Sequence, residues 1–405
     1  MRLDDRDHVS WGPSLQPPGA APQFRVSVPD IGPAERLNAW RCMQSAMVGP
    51  AGFYRDRFEA RFAALIGARH VLSTSNGTTA LHLALLLNDV RPGDEVIVPS
   101  MTYVATANAI RHTGATPVFA DVSAETWCLD PGDVAARITP RTRGIVAVHL
   151  FGNIAASAAL DAVAAAHGLW VIYDAAHASL STQGSAGSGS LGRLSAYSFH
   201  LNKTITCGEG GALALNDDAL LERARWLRSH GMDYHQRNLL HEVGYNYRLS
   251  NLHCSILCAQ LDNIDTIRAR RAAIAAAYGE ALSGTPGLSF QPLQPGSQTE
   301  VWLYSLLCDR GAGAPPRDAV IAGLAAEGVE ARAFFPAIHR MAFHGPPPGR
   351  SIPDLPVTDR LAQDGFSLPT YNAMTPDDAR VIAERLKRVM DRQASGPVNR
   401  LMGVS

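Results

Sequence analysis

The chain has 405 residues, with 36 Lys and Arg against 37 Asp and Glu, so its formal net charge is -1 at pH 7. A chain of this length can bury a large apolar core, and a near-neutral charge without a polybasic cluster disfavours nucleic acid or an anionic membrane surface as a partner. The six cysteines form no closely spaced framework, and the N-terminus lacks both a signal-peptide pattern and a long apolar run. These features predict a cytoplasmic protein that no membrane segment anchors.

The first part of the chain changes character near residue 26. Residues 11–23 are rich in Pro, Gly and Ala without an apolar period, which predicts a mobile arm or an extended segment lying on a neighbour. We place this flexible N-terminal arm at residues 1–25. Apolar β-branched runs then alternate with helical stretches, which predicts a large domain over residues 26–262 with a parallel sheet covered by helices on both faces. The predicted strands are VLSTS (71–75), EVIVPS (95–100), PVFADV (117–122), GIVAVHLFG (144–152), WVIYDAA (170–176), SAYSFH (195–200) and GALALN (211–216).

After residue 262 the pattern becomes a long Arg- and Ala-rich helical stretch followed by mixed segments. This change predicts a smaller C-terminal domain over residues 263–395 and a tail over residues 396–405. Its last helix has clear start signals, with Thr375 as N-cap and Pro376 at the first helical position. We expect its apolar stripe to pack on the sheet of that domain. The stripe consists of Ile382, Leu386, Val389 and Met390.

Candidate chemical groups follow several of the predicted strands, and ligands of open α/β sheets bind beyond the carboxyl ends of strands. Residues 76–79 open an apolar helix whose free N–H groups favour a phosphate, although an ordinary helix cap is an alternative. Asp174 ends an apolar strand and needs a cationic partner, either a protonated pyridine nitrogen or a core ion pair. Lys203 lies in a Gly- and Thr-rich loop, where burial would lower its pKa and favour a Schiff-base amine. Tyr103 also follows a strand, where its ring could stack on a planar cofactor or belong to the core.

Three other patterns are less informative. Cys254 and Cys258 lie one helical turn apart beside His253, but no second ligand pair with zinc spacing follows, so we expect no metal site. The segment GEGG (208–211) precedes a strand instead of opening a helix, which disfavours a dinucleotide-binding loop. Cys207 has no obvious activating base in the sequence, and packing is the better interpretation.

Six segments resemble, in order, the motifs of the DegT/DnrJ/EryC1/StrS sugar aminotransferases, and the resemblance covers roughly residues 35–390. The segments are SNGTTALHLAL (75–85), PGDEVIVPSMTYVATANA (92–109), DAAHA (174–178), SFHLNK (198–203), GEGG (208–211) and GYNYRLSNL (244–252). The resemblance implies an α/β protein of the pyridoxal-5'-phosphate-dependent transferase fold type I, similar to aspartate aminotransferase. In that fold a large domain with a mixed, mostly parallel sheet precedes a smaller C-terminal α+β domain. It also implies a homodimer with active sites shared at the subunit interface.

The matching positions imply roles for individual residues. By resemblance, Lys203 is the Schiff-base lysine for pyridoxal 5'-phosphate and Asp174 is the partner of the pyridine nitrogen. His177 occupies a position beside the cofactor ring, and Tyr103 occupies the position of an aromatic residue that stacks on it. Lys203, Asp174 and His177 are therefore the expected catalytic residues. The expected phosphate-binding residues are Gly77, Thr78, Ser198 and, from the other subunit, Asn246.

The retained Lys203 favours transamination, because relatives that dehydrate ketosugars carry His at that position. The resemblance implies that L-glutamate donates nitrogen, carried as pyridoxamine 5'-phosphate, to a keto group of a nucleotide-linked deoxysugar. Alternatives are another nucleotide-linked ketosugar, an aminocyclitol ketone, or lyase or dehydratase chemistry on the same scaffold. A regulatory or binding protein without chemistry is also an alternative, which the intact set of Lys203, Asp174 and Ser198 disfavours.

Three segments indicate a subgroup of the family. Residues 127–131, 202–211 and 241–248 look most like the members that aminate C4 of GDP-4-keto-6-deoxymannose. Two residues depart from that subgroup, since His177 replaces an expected Glu and Ala333 replaces an expected Pro. The resemblance favours this sugar as the acceptor.

Overall fold

The computed structural model describes residues 22–233, 236, 238–345 and 351–394. Up to residue 262 the elements are α1 (Pro33–Gln44), α2 (Phe53–Ile66), β1 (His70–Thr74), α3 (Gly77–Leu87), β2 (Glu95–Pro99), α4 (Ala105–His112), β3 (Thr116–Ala120), α5 (Pro131–Ala136), β4 (Thr142–Val148), α6 (Ser157–Ala166), β5 (Trp170–Asp174), β6 (Thr182–Gln183), β7 (Ala186–Gly187), β8 (Leu194–Ser198), β9 (Gly211–Leu215), α7 (Asp218–Arg228) and α8 (Asn251–Asp262). The later elements are α9 (Ile264–Leu282), β10 (Leu288–Phe290), β11 (Ser297–Gln298), β12 (Tyr304–Cys308), α10 (Arg317–Ala326), β13 (Arg332–Ala333), α11 (Pro356–Asp364), β14 (Gly365–Leu368) and α12 (Pro376–Ala394).

The main sheet has seven strands in the order β1-β9-β8-β5-β4-β2-β3. Strands β8, β5, β4, β2 and β3 pair in parallel, and β9 runs antiparallel to both of its neighbours, β1 and β8. The expected mixed, mostly parallel sheet of fold type I is therefore confirmed. The predicted strand over 144–152 extends too far, because Phe151 adopts a φ of 55° and Leu150–Gly152 forms a short 3-10 turn.

Helices cover both faces of this sheet, as the nearly continuous apolar strands require. Val96 and Val98 of β2 belong to the buried cluster that also contains residues of α3, α4 and α7. Ile97, between them, points to the opposite face and packs in a cluster with residues of α5 and α6. This alternation follows from the two-residue period of a strand, so both faces of β2 are buried.

The C-terminal part contains a second sheet of four antiparallel strands, in the order β10-β12-β14-β13. The apolar stripe of α12 is buried in one cluster with Leu306 of β12 and Phe366 of β14, which confirms its predicted packing. Thr375 Oγ1 accepts a hydrogen bond from Asp378 N (3.2 Å), and Thr375 N donates to Asp378 Oδ2 (2.8 Å). This reciprocal pair caps the helix as the sequence predicted. The predicted tail lies outside the described residues.

Residues 22–25, at the end of the predicted flexible N-terminal arm, are folded against the rest of the chain, so the prediction is wrong for these four residues. Phe24 is 6% exposed and lies in the apolar cluster of the C-terminal domain. Phe24 N donates to Gly328 O (3.1 Å), and Glu330 N donates to Phe24 O (2.8 Å). The buried aromatic ring and the two backbone hydrogen bonds stabilise this ordered conformation, which the local composition does not predict. Residues 1–21 lie outside the described part of the chain.

A third, small sheet links the two parts of the chain. β11 pairs with β6, which pairs with β7, so the segment just before residue 300 lies against the loop that follows β5. This pairing brings a C-terminal segment to the carboxyl edge of the main sheet.

Within the described residues, no helix combines the length and the apolar character that crossing a membrane requires.

Candidate active site

The residues singled out from the sequence lie at one edge of the main sheet. Gly77 begins α3 directly after β1, Asp174 ends β5, and Ser198 ends β8. Lys203 lies in the loop between β8 and β9, and Tyr103 lies between β2 and α4. Strands that run in the same direction end at the same edge, so these residues share the position where α/β folds bind their ligands.

Lys203 has the environment of an amine that is easily deprotonated. Burial lowers the pKa of Lys203 to about 7, while Asp174 and Glu300 oppose this effect and Arg332 adds to it. Its Nζ lies over the ring of Trp302, 4.1 Å from the ring centroid. Close to half of the amine is therefore uncharged at neutral pH, whereas an ordinary lysine with a pKa of about 10.4 is almost fully protonated.

Asp174 is buried and held by two donors. Thr106 Oγ1 donates to Asp174 Oδ2 (2.8 Å), and Ala176 N donates to Asp174 Oδ1 (3.1 Å). Burial raises the pKa of Asp174, and these two hydrogen bonds together with the charge of Lys203 oppose the rise. A carboxylate has about four acceptor positions, so Asp174 can take a further cationic donor such as a protonated pyridine nitrogen.

His177 is buried beside Trp302. Their ring centroids are 3.9 Å apart and the ring planes differ by 15°. Burial, with a smaller contribution from Lys203, lowers the pKa of His177 well below its usual value, so the ring is neutral at pH 7. Among the described residues, His177 Nδ1 has no hydrogen-bond partner. A buried nitrogen of this kind needs a partner, which a bound cofactor could supply.

The start of α3 forms a cradle with the end of β8. A Cβ atom at Gly77 would lie 3.0 Å from Ser198 Cβ and 3.3 Å from Tyr197 O, so a side chain there would fill the space. Asn76 caps the helix by accepting a hydrogen bond from Thr79 N (2.9 Å). The N–H groups at the beginning of the helix, including that of Thr78, are placed to bind a phosphate. The cradle, the lysine and the buried aspartate together fit pyridoxal 5'-phosphate.

Two of the predicted cofactor-binding residues lie at the surface. Tyr103 is 57% exposed, and its ring centroid lies 5.7 Å from that of Phe335. Asn246 is exposed, and its Oδ1 accepts a hydrogen bond from Arg248 Nε (3.1 Å). Within the described residues of a single chain, neither side chain contacts Lys203.

Three residues of the site were not identified from the sequence. Thr106, which holds Asp174, lies in the matching segment 92–109, so the resemblance contained a signal for it. Trp302 and Glu300 come from the segment before β12, about a hundred residues beyond the lysine, where no local motif marks them. Only the packing of the C-terminal domain against the main sheet reveals their position.

The sheet order, with a lysine of lowered pKa near a buried aspartate at its carboxyl edge, defines a pyridoxal-phosphate-dependent transferase of fold type I. The chain belongs to the DegT/DnrJ/EryC1/StrS aminotransferase family, which it matches over residues 29–387. It is a pyridoxal-phosphate-dependent aminotransferase.

Three similar proteins represent the family. The chain is 39% identical over 364 residues to the GDP-perosamine synthase of Caulobacter vibrioides, with 89% of this chain and 97% of the relative covered. It is 33% identical to the putative pyridoxal phosphate-dependent aminotransferase EpsN of Bacillus subtilis, covering 89% of this chain and 94% of EpsN. The crystal structure of DesI in the presence of its TDP-sugar product has a TM-score of 0.86 and 34% identity, covering 94% of this chain and 96% of DesI.

Proposed function

We propose that the protein transfers the amino group of L-glutamate to the C4 keto group of a nucleotide-linked 4-keto-6-deoxysugar, with 2-oxoglutarate as co-product. GDP-4-keto-6-deoxymannose is the favoured acceptor. This choice is supported by the 39% identity to the Caulobacter vibrioides relative named GDP-perosamine synthase. The observation that carries the proposal is the amine of Lys203, whose pKa of about 7 suits covalent binding and proton transfer at neutral pH.

Each predicted site residue has a defined task in this proposal. The neutral amine of Lys203 would hold the cofactor, and the same amine would serve as the acid and base at the substrate Cα. The carboxylate of Asp174 keeps a proton on the pyridine nitrogen, and Thr106 holds that carboxylate in place. When bound, pyridoxal 5'-phosphate supplies the electron sink for the deprotonated Cα. His177, which packs on Trp302 and is uncharged, would line the site of the cofactor ring.

The phosphate and the outer face of the ring complete the site. Gly77 and Thr78 offer backbone N–H groups, and the hydroxyl of Ser198 is an additional donor. Tyr103, which is exposed in a single chain, would supply an aromatic ring to stack on the cofactor. Asn246 donates to the phosphate of the partner subunit's site, in keeping with its exposed position.

The homodimer is supported by an apolar surface on α1, the loop after it and the first residue of α2, which we call the α1 surface. It is formed by exposed large side chains, a pattern that marks protein–protein interfaces. The residues of the α1 surface are Leu37, Trp40, Met43, Met47, Val48 and Phe53. In this homodimer, which is the active unit, each active site would contain Asn246 of the other subunit. We also propose a cytoplasmic location, supported by six cysteines that are all free.

A subunit-mixing experiment tests the shared site. Lys203→Ala and Asn246→Ala subunits are purified separately, mixed under conditions that exchange subunits, and titrated with pyridoxal 5'-phosphate. A mixed dimer contains one site with both wild-type residues, so the mixture should regain activity that neither variant has at low cofactor concentration. If activity stays at the average of the two variants, Asn246 does not serve the partner's site.

The central experiment uses the absorbance spectrum of the purified protein with bound cofactor. The chain contains two lysines, Lys203 and Lys387, so Lys387→Ala is a matched control that leaves the site intact. Wild type and Lys387→Ala should show the visible band of lysine-bound cofactor and lose it on addition of L-glutamate. Lys203→Ala should show no such band, and a Lys203→Ala enzyme with full turnover would contradict the assignment.

The acceptor is tested separately with a panel of GDP- and TDP-linked 4-ketosugars and an aminocyclitol ketone. Production of 2-oxoglutarate in step with each amino product is expected, with the highest kcat/KM for GDP-4-keto-6-deoxymannose. A lyase or dehydratase on this scaffold would turn over without consuming an amino donor for each cycle. Glutamate-independent turnover would therefore overturn the transamination, whereas a preference for another ketone would overturn only the choice of sugar.

A further inference from the structure

Glu300 is a buried carboxylate between the loop after β5 and the loop that carries Lys203. Its Oε2 accepts hydrogen bonds from Leu180 N and from Ser179 Oγ (3.1 Å), and its Oε1 accepts from Thr204 Oγ1 (2.8 Å). Every one of these partners is a neutral donor. No ion pair of Glu300 occurs within the part of the chain that the structure describes. A buried carboxylate placed this way exerts its charge on its surroundings without direct neutralisation.

The segment around Glu300 holds Lys203 from both sides. Thr204, the residue after the lysine, donates its hydroxyl to Glu300. Asn202, the residue before it, offers its carbonyl oxygen to Trp302 Nε1 (2.7 Å). The ring of Trp302 also faces Lys203 Nζ. Residues 300–302 therefore contact the lysine and both of its neighbours.

Further hydrogen bonds connect this segment, through two other residues of the C-terminal part, back to the lysine loop. Arg271 of α9 donates Nη1 to Val301 O and Trp302 O (both 3.0 Å) and Nε to Asn372 Oδ1 (2.8 Å). Asn372 Nδ2 in turn donates to Thr204 O (3.1 Å). Thr204 is therefore held at its side chain by Glu300 and at its carbonyl oxygen by Asn372.

We propose that Glu300 is a positioning residue for Lys203: through Thr204 it fixes the lysine loop against the C-terminal domain, and its negative charge stabilises the protonated amine. This inference rests on the proposed role of Lys203. The C-terminal part of the chain would thus influence the protonation of Lys203 as well as the shape of the site.

The charges that face Lys203 are consistent with this role. Asp174 and Glu300 favour the protonated amine, Arg332 disfavours it, and His177 is neutral. Burial raises the pKa of Glu300, and the Leu180 N–H, the nearby Arg271 and the two hydroxyl donors oppose that rise. With the charge of Glu300 removed, Asp174 is the remaining anion that supports the lysine, so the amine should become more acidic.

Glu300→Gln tests the charge, since Gln keeps the shape and can still bond to Leu180 N and Thr204. In the cofactor-free enzyme, the pH dependence of Lys203 acetylation is measured by mass spectrometry, with Lys387 as internal reference. The midpoint should fall by on the order of one pH unit. Glu209→Gln, which removes an exposed carboxylate from the same loop, should leave it unchanged. A Glu300→Gln midpoint equal to that of the wild type would overturn the electrostatic role.

Thr204→Val tests the positioning and serves also if Glu300→Gln does not fold. Val retains the shape of Thr and leaves the carboxylate in place, but it removes the hydrogen bond to Glu300. The dissociation constant of pyridoxal 5'-phosphate should rise about tenfold or more, and Thr204→Ser should restore it. An unchanged dissociation constant in a folded Thr204→Val enzyme would overturn the positioning role.

The Lys203→Ala spectrum separates the two proposals. If the visible band of the bound cofactor persists in Lys203→Ala, the assignment of Lys203 fails and the inference on Glu300 fails with it. If the band is lost in Lys203→Ala while Glu300→Gln and Thr204→Val behave like the wild type, Lys203 keeps its role and only the inference on Glu300 is overturned.

Discussion

The hydrogen bond from Thr106 to Asp174 offers a quantitative test of the site. Thr106 Oγ1 lies 2.8 Å from Asp174 Oδ2, 3.2 Å from Tyr103 O and 3.3 Å from Thr102 Oγ1. Its single hydrogen therefore goes to the nearest and most strongly accepting partner, the carboxylate, while Thr102 can donate to it. Thr106→Val keeps the buried shape and removes one of the two donors of Asp174 that the structure describes.

The expected loss follows from the energy of a hydrogen bond to a charged group, about 1.5–3 kcal/mol. Thr106 favours the charged form of Asp174, which is the form that would pair with a protonated pyridine nitrogen, so part of this energy supports cofactor binding. At about 1.4 kcal/mol for each factor of ten, the dissociation constant of pyridoxal 5'-phosphate should rise in Thr106→Val by up to about 150-fold. Because the hydrogen bond from Thr106 opposes the rise caused by burial, its loss should raise the pKa of Asp174 further. Because a higher pKa means less carboxylate at low pH, the defect should grow as the pH falls.

The assay is a cofactor titration between pH 6 and pH 9, followed by absorbance, for the wild type, Thr106→Val and Thr106→Ser. Thr106→Ser keeps the hydroxyl and loses one buried methyl group, so it should bind nearly as the wild type while losing about 1 kcal/mol of folding stability. A Thr106→Val enzyme that binds the cofactor as tightly as Thr106→Ser, with the same pH dependence, would refute the reasoning.

Further predictions concern the lysine, the phosphate cradle and the N-terminal segment. In the cofactor-free enzyme at pH 8, Lys203 should be acetylated faster than the chain's other lysine, because its pKa of about 7 leaves the amine mostly neutral; slower labelling of Lys203 would count against this pKa. Gly77→Ala should raise the dissociation constant of the cofactor and cost about 1–3 kcal/mol of stability, since the new methyl group would lie 3.0 Å from Ser198 Cβ; unchanged binding would argue against the cradle. Phe24→Ala should lower the free energy of unfolding in urea by about 3–5 kcal/mol, whereas Phe343→Ala, at an exposed ring, should have little effect. Equal effects of these two substitutions would contradict the burial of Phe24.

Much of the main sheet follows from local sequence patterns. Each of the seven predicted strands is present, because a strand buried on both faces must be a short apolar run whatever its neighbours are. Phe151 was the exception, since its positive φ depends on a turn that periodicity does not reveal. The limits of the two domains, drawn at residues 262 and 263, stay a prediction.

The sequence by itself also indicated the chemistry, since parallel strands end at one edge. Gly77 and Lys203 come soon after predicted strands, and Asp174 and Ser198 lie near the ends of predicted strands. Tertiary structure alone decided what surrounds them. Trp302 and the charge of Glu300 reach Lys203 from a segment about a hundred residues away, and burial lowers the pKa of the amine. Propensity and periodicity act over a few residues, whereas burial and electric fields depend on every group that folding brings near, so the reactivity of Lys203 is a property of the folded chain.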